Sequence, residues 1–153
     1  TEQSKRKVFY TAVLNFSLEK YDLAKTQFMS LIDSTNKESK KKIEQLFIKN
    51  EKINKLNPRA ARIMSMIIPG LGQFYAGDIK NGTNSIILTV GIATWGIVTA
   101  VKSTSPFDVL VTAAPWFQRY YMGGYKKAEQ IAINEKKKRR SKVYNQILDE
   151  VIK

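Results

Sequence analysis

The sequence predicts an all-α membrane protein: an N-terminal helical hairpin plus a further helix, a glycine-rich membrane hairpin, and a C-terminal basic amphipathic helix. Three observations carry that prediction. Apolar residues recur at three- and four-residue spacing in both flanks. The centre, 58–122, holds only five basic residues and two acids, while 1–57 carries twelve Lys/Arg against seven Asp/Glu and 123–153 carries nine against four. An apolar centre between basic ends is the charge pattern of a membrane segment with retained flanks. Finally, IIPGLGQFYAGDIKNG, 67–82, places four glycines and a proline inside the most hydrophobic region, too broken for an ordinary helix and too apolar for an ordinary loop.

The first unit is 1–57. VFYTAVLNFSLEKYDLAKTQFMSLID reads as a helical hairpin turning near Glu19-Lys20, with Val13, Phe16, Tyr21, Ala24, Phe28 and Leu31 at helical spacing. The segment EKYDLAKTQFMSLI resembles the second half of a tetratricopeptide repeat, whose aromatic, small and second aromatic positions are matched by Tyr21, Ala24 and Phe28. A single repeat cannot bury its own apolar face. It must pack on the next helix, on the membrane segments, on upstream repeats or on a partner, and those three residues are the expected partner-docking face. After the break at Ser34-Thr35-Asn36, KESKKKIEQLFIKNEKINKL gives another amphipathic helix, with Ile43, Leu46, Phe47, Ile53 and Leu56 on its apolar side.

The second unit, 58–122, opens at Asn57-Pro58, where the residue before proline disfavours helix and proline suits a helix start. Its three apolar stretches are 61–76, broken by Pro69 and Gly70 and expected to be re-entrant or interfacial; 85–101, seventeen residues without a charge; and 106–122, with Asp108 and Arg119 expected near opposite interfaces and Trp116, Tyr120 and Tyr121 as an aromatic belt. Seventeen residues rise about 26 Å, slightly short of a ~30 Å hydrocarbon core. The expected packing positions are Pro69, Gly70, Gly72, Tyr75, Gly77 and Gly82, together with Gly91 and Gly96, where small residues permit close helix contact. A turn between short helices of a soluble basic protein is the competing reading.

PGLGQFYAGDIKNG is similar to a P-G-x-G-x-x-Y-x-G-x-x-x-x-G signature of small bacterial membrane proteins, loosely related to the two-transmembrane-helix (TM-two) domain. Pro69, Gly70, Gly72, Tyr75, Gly77 and Gly82 match it. Envelope proteins that join a tetratricopeptide-like hairpin to this signature also end in an aromatic-glycine segment running into a helix, as RYYMGGYKKAEQIAINE does here. The resemblance implies architecture rather than activity. The third apolar stretch departs from a two-helix pattern.

From Gly123-Gly124 the tail, 123–153, reads as a helix with Tyr125, Ala128, Ala132, Val143, Ile147, Leu148 and Val151 on one stripe. Arg119, Tyr120 and Tyr121, with Lys136, Lys137, Lys138, Arg139 and Arg140, are the expected lipid-interface residues. The positive-inside rule puts the C-terminus in the cytoplasm and favours the inner membrane. An equally basic N-terminal unit favours an even number of crossings. A leader removed before Thr1 would require three, and an outer membrane is a further case.

With no Cys and no His, thiol nucleophiles, imidazole bases and the usual zinc ligands are removed together. Neither a P-loop nor a dinucleotide fingerprint fits the glycines. No catalytic residue, metal or cofactor is expected, and no specific nucleic-acid partner, since no helix-turn-helix or zinc motif accompanies the charge. The expected role is a non-catalytic scaffold or accessory subunit in a bacterial envelope complex, for secretion or membrane-protein assembly. Its partners are membrane lipids, other membrane or envelope proteins, or further copies of the chain. The alternative is a small transporter or channel element, or a lipid-headgroup-binding protein, using Gln73, Tyr75, Asp78, Asp108, Arg119 and Tyr120.

Overall fold

The computed structural model describes residues 2–152, except for the side chain of Leu110. Every regular element among them is helical: α1 (Glu2–Ser17), α2 (Tyr21–Leu31), α3 (Lys37–Asn54), α4 (Pro58–Ile67), α5 (Leu71–Ala76), α6 (Ile79–Lys102) and α7 (Pro106–Ile152). The chain forms two compact units, residues 1–55 with 138–153, and residues 56–137.

In the first unit α1 and α2 make the hairpin that their spacing predicts. The reversal falls at Glu19, whose φ of 61° is left-handed, and the Lys20 N–H closes it by donating to the Asn15 carbonyl at 2.8 Å. The core is Ala12 and Phe16 of α1, Ala24 and Phe28 of α2, Ile43, Phe47 and Ile53 of α3, and Val143 and Ile147 from the end of α7. Phe16 is its aromatic hub, 5.2 Å from the Tyr21 ring, 6.0 Å from Phe47 and 5.1 Å from Tyr144. The expectation that Tyr21, Ala24 and Phe28 form a docking face is therefore corrected. Ala24 and Phe28 are fully buried and Tyr21 half-buried, because α3 and the last turns of α7 cover the face that a lone hairpin would expose.

Charged contacts fasten those last turns. Arg140 donates to Glu19 Oε1 and to Asn54 Oδ1, both at 2.6 Å, and lies over the Tyr21 ring at 5.5 Å. Burial pushes the Tyr21 hydroxyl above its ordinary pKa, against the opposing pull of the Arg140 charge. Ser39 Oγ donates to Glu150 Oε1 at 2.7 Å. Arg140 thus serves a protein contact and not the lipid interface expected of it. Lys137, Lys138 and Arg139 are exposed.

The second unit begins as Asn57-Pro58 predicts. Asn57 Oδ1 accepts from the Arg59 and Ala60 N–H groups at 2.9 and 3.3 Å, and Pro58 takes the first helical position. Helix then breaks at Ile68–Gly70 and again at Gly77. Two boundaries differ from expectation. α6 starts at Ile79 instead of 85, because Asp78 caps it, accepting from the Asn81 N–H at 3.0 Å and Asn81 Nδ2 at 2.6 Å. α7 runs unbroken through Pro115 and Gly123-Gly124, so 106–122 and the basic tail are one helix of 47 residues.

Candidate membrane module

Residues 56–137 bury mostly small and polar side chains and leave many large apolar ones outside. The buried positions are small or polar: Ala61, Ser65, Gly70, Gly72, Gln73, Ala76, Gly82, Thr89, Ala113, Ala128 and Ala132, with Leu56 and Tyr125 the larger exceptions. The exposed positions carry the bulk: Ile67 is 74% exposed, Val101 81%, Phe107 75%, with Ile97, Val98, Trp95 and Trp116 also outward. Large apolar surface left outside has no hydrophobic reason to face water. Small residues at helix contacts are how helices associate where the surroundings are already apolar.

The interior explains the glycines. Gly70 and Gly77 both have φ of 91°, the left-handed region that favours glycine. A Cβ on Gly70 would stand 2.5 Å from the Gly82 carbonyl oxygen, and one on Gly72 would stand 1.8 Å from the Ala61 carbonyl oxygen. A Cβ on Gly82 would meet the Phe74 ring at 2.9 Å. Backbone touches backbone between α4 and α5, and between Gly70 and α6. Gly91 makes no such contact, since nothing lies within 4 Å of its would-be Cβ. A Cβ on Gly96 would stand 3.2 Å from Ala113 Cβ.

Breaking a helix leaves backbone groups without partners, which must be satisfied wherever water is excluded. Pro69 has no N–H to offer. The Gly72 N–H donates to Ser65 Oγ at 2.9 Å, Ser65 Oγ donates to Gln73 Oε1 at 2.7 Å, and Gln73 Nε2 donates to the Gly124 carbonyl of α7 at 3.0 Å. Tyr121 Oη donates to the Met66 carbonyl at 2.5 Å, and the Asn57 N–H donates to Tyr75 Oη at 3.1 Å. Ser65 and Gln73 are each 1% exposed, so this is an enclosed polar network inside an apolar shell. Ser65 carries no signal in the sequence other than lying seven residues before Gly72.

The residues weighed for transport or lipid chemistry are dispersed by this arrangement. Gln73, Tyr75 and Tyr121 hold the break together. Asp78 is a helix cap whose carboxyl the Asn81 hydrogen bonds hold below the ordinary Asp value. Tyr120 stacks on Trp116 at 6.5 Å. Among the described residues no group of three acids or other metal-binding side chains comes together.

Ser85 faces Gly124 and Gly96 faces Ala113, eleven residues on along each helix, so α6 and α7 run antiparallel in that register. Arg119, five residues from Gly124, is thereby level with Val90, five from Ser85. In that register Arg119 sits ten residues from the level of Lys80 and twelve from that of Lys102. One helix among the described residues, α6, is long and apolar enough to cross a membrane. At 24 residues it rises about 36 Å, which covers a ~30 Å core that seventeen residues would not. No protein-family model, curated protein or solved structure matches the chain.

Proposed function

We propose that the chain is a membrane-embedded, non-catalytic scaffold or accessory subunit of a bacterial envelope protein complex, acting in secretion or membrane-protein assembly. The observation that carries this reading is the inverted polarity of residues 56–137. A hydrogen-bonded polar interior with bulky apolar side chains outside suits an apolar solvent. In this reading α6 and the first half of α7 form a membrane hairpin. Lys80, Lys126 and Lys127 mark one interface, and Lys102 with Asp108 the other. The basic flanks support a reading in which the first interface faces the cytoplasm at the inner membrane. The resemblance of PGLGQFYAGDIKNG to small envelope membrane proteins supports the same assignment.

Because the chain has no Cys, single cysteines report its topology directly. Thr104→Cys, at an exposed position between α6 and α7, is expected to react with a membrane-impermeant maleimide in intact cells after outer-membrane permeabilisation, and Ser34→Cys and Ser141→Cys only after lysis. Release from membranes by alkaline carbonate would sink the membrane assignment. A detergent-solubilised pull-down from native membranes tests the subunit role, which recovery of the chain alone would sink.

A further inference from the structure

The outward face of α7 carries a polar line through the apolar belt. Asp108, Thr112, Pro115, Arg119, Gly123 and Lys126 follow one another at three- or four-residue steps, share one helix face, and are all exposed. The opposite face, with Ala113, Tyr121 and Gly124, is the one packed within the unit. Resting on the membrane reading above, the antiparallel register sets Arg119 about 15 Å from the level of Lys80 and about 18 Å from that of Lys102, and about 10 Å along its own helix from Lys126, inside the span.

A cation there needs a counter-charge or a route to water. The nearer interface, at Lys126, lies about 10 Å toward the C-terminus of α7, against the direction in which helical side chains generally lean. Acids of the same unit do not answer the charge. Asp78 caps α6, Glu129 pairs with Arg62 at 3.3 Å, Asp108 is about 16 Å along the helix and Glu135 about 24 Å. A second copy inserted the same way would bring its Asp108 to the level of this chain's Asp108, again about 16 Å too far.

We propose that this face of α7 docks a transmembrane helix of a different protein, one carrying an Asp or Glu level with Arg119. Gly123 fits that role. It is an exposed glycine inside a helix, with nothing within 4 Å of its would-be Cβ, so its missing side chain serves no contact of this chain and admits a close neighbour.

The test uses the full chain reconstituted in phosphatidylcholine vesicles and a labelled, Lys-flanked Leu/Ala transmembrane peptide bearing one central Glu, Leu or Lys, with association read by energy transfer. The Glu peptide is expected to bind about tenfold more tightly than the Leu peptide. Arg119→Leu should erase that preference, Arg119→Glu should transfer it to the Lys peptide, and Gly123→Leu should weaken binding with the charge intact. Equal binding of the Glu and Leu peptides, or a preference that survives Arg119→Leu, overturns the proposal. So does displacement of the Glu peptide by phosphatidylglycerol, which would make a lipid phosphate the counter-ion. A chain that alkaline carbonate strips from the vesicles overturns this proposal and the membrane assignment together, whereas an inserted chain with no Glu preference overturns this proposal alone.

Discussion

The α-carbon of Gly72 packs so closely on the Ala61 carbonyl that a methyl group there would stand 1.8 Å from its oxygen. Gly72→Ala must push α4 and α5 apart, and the Gly72 N–H bond to Ser65 is lost with that movement. The expected loss is about 3 kcal/mol or more, read as a collapse of the melting temperature in detergent.

Gly91 provides the opposite case. Nothing lies near its would-be Cβ, so Gly91→Ala should stabilise α6 by about 0.5–1 kcal/mol through helix propensity. A destabilised variant would show that Gly91 makes a close contact in the assembled protein.

Gln73 joins two elements through one side chain. Replacing it with Leu keeps the bulk but strands Ser65 Oγ and the Gly124 carbonyl in an enclosed site. The expected cost is about 2–3 kcal/mol. Tyr121→Phe, which strands only the Met66 carbonyl, should cost less. Equal melting temperatures for wild type and Gln73→Leu would refute the network.

Asp78 lies one residue before α6, outside the apolar helix, and its pKa is lowered chiefly by the Asn81 backbone N–H and then by the Asn81 side chain. A depressed folded value means that stabilisation is present above the unfolded pKa and is lost as pH falls through the folded one. Acid unfolding of the wild type should therefore steepen below about pH 4. Asp78→Asn, which keeps a capping oxygen, should flatten that limb. Asp33 is lowered in the same direction by Thr35, so Asp33→Asn serves as the control for the remaining slope.

Arg140 grips Glu19, Asn54 and the Tyr21 ring at once. Arg140→Lys keeps the charge but lacks the planar, rigid fork that meets both acceptors. Both Arg140→Lys and Arg140→Met should lower the stability of residues 1–55, by about 1–2 kcal/mol, seen in amide exchange of α2. Phe28→Ala, at the centre of the same core, should cost about 3–5 kcal/mol.

What was legible in the sequence was local chemistry. The turn at Glu19-Lys20, the Asn57-Pro58 start and the break at Pro69-Gly70 each follow from one or two residues with narrow backbone preferences. What was not legible came from distance. Pro115 and Gly123-Gly124 look like helix ends, yet α7 continues because Tyr121, Gly124, Glu129 and Ala132 each find partners on α4 or α5 that hold the backbone in register. The docking face read at Tyr21, Ala24 and Phe28 failed for a similar reason: Val143 and Ile147, more than a hundred residues later, fill it. The depth of Arg119 depends on which residue of α6 lies opposite, and no spacing within α7 encodes that.

The division of the chain, with 1–55 completed by 138–153, bears on the order in which the protein can be made. The first three helices leave the ribosome before the residues that finish their core exist. At about 5–20 residues per second, the intervening 56–137 take about 4–16 s to synthesise. During that interval Phe28, Ile43 and Phe47 lack the cover that Val143 and Ile147 give them. A newborn chain is therefore most exposed to proteases and holding chaperones until residues 138–153 have emerged, and a chain truncated after Lys137 should be cleared from the cell quickly.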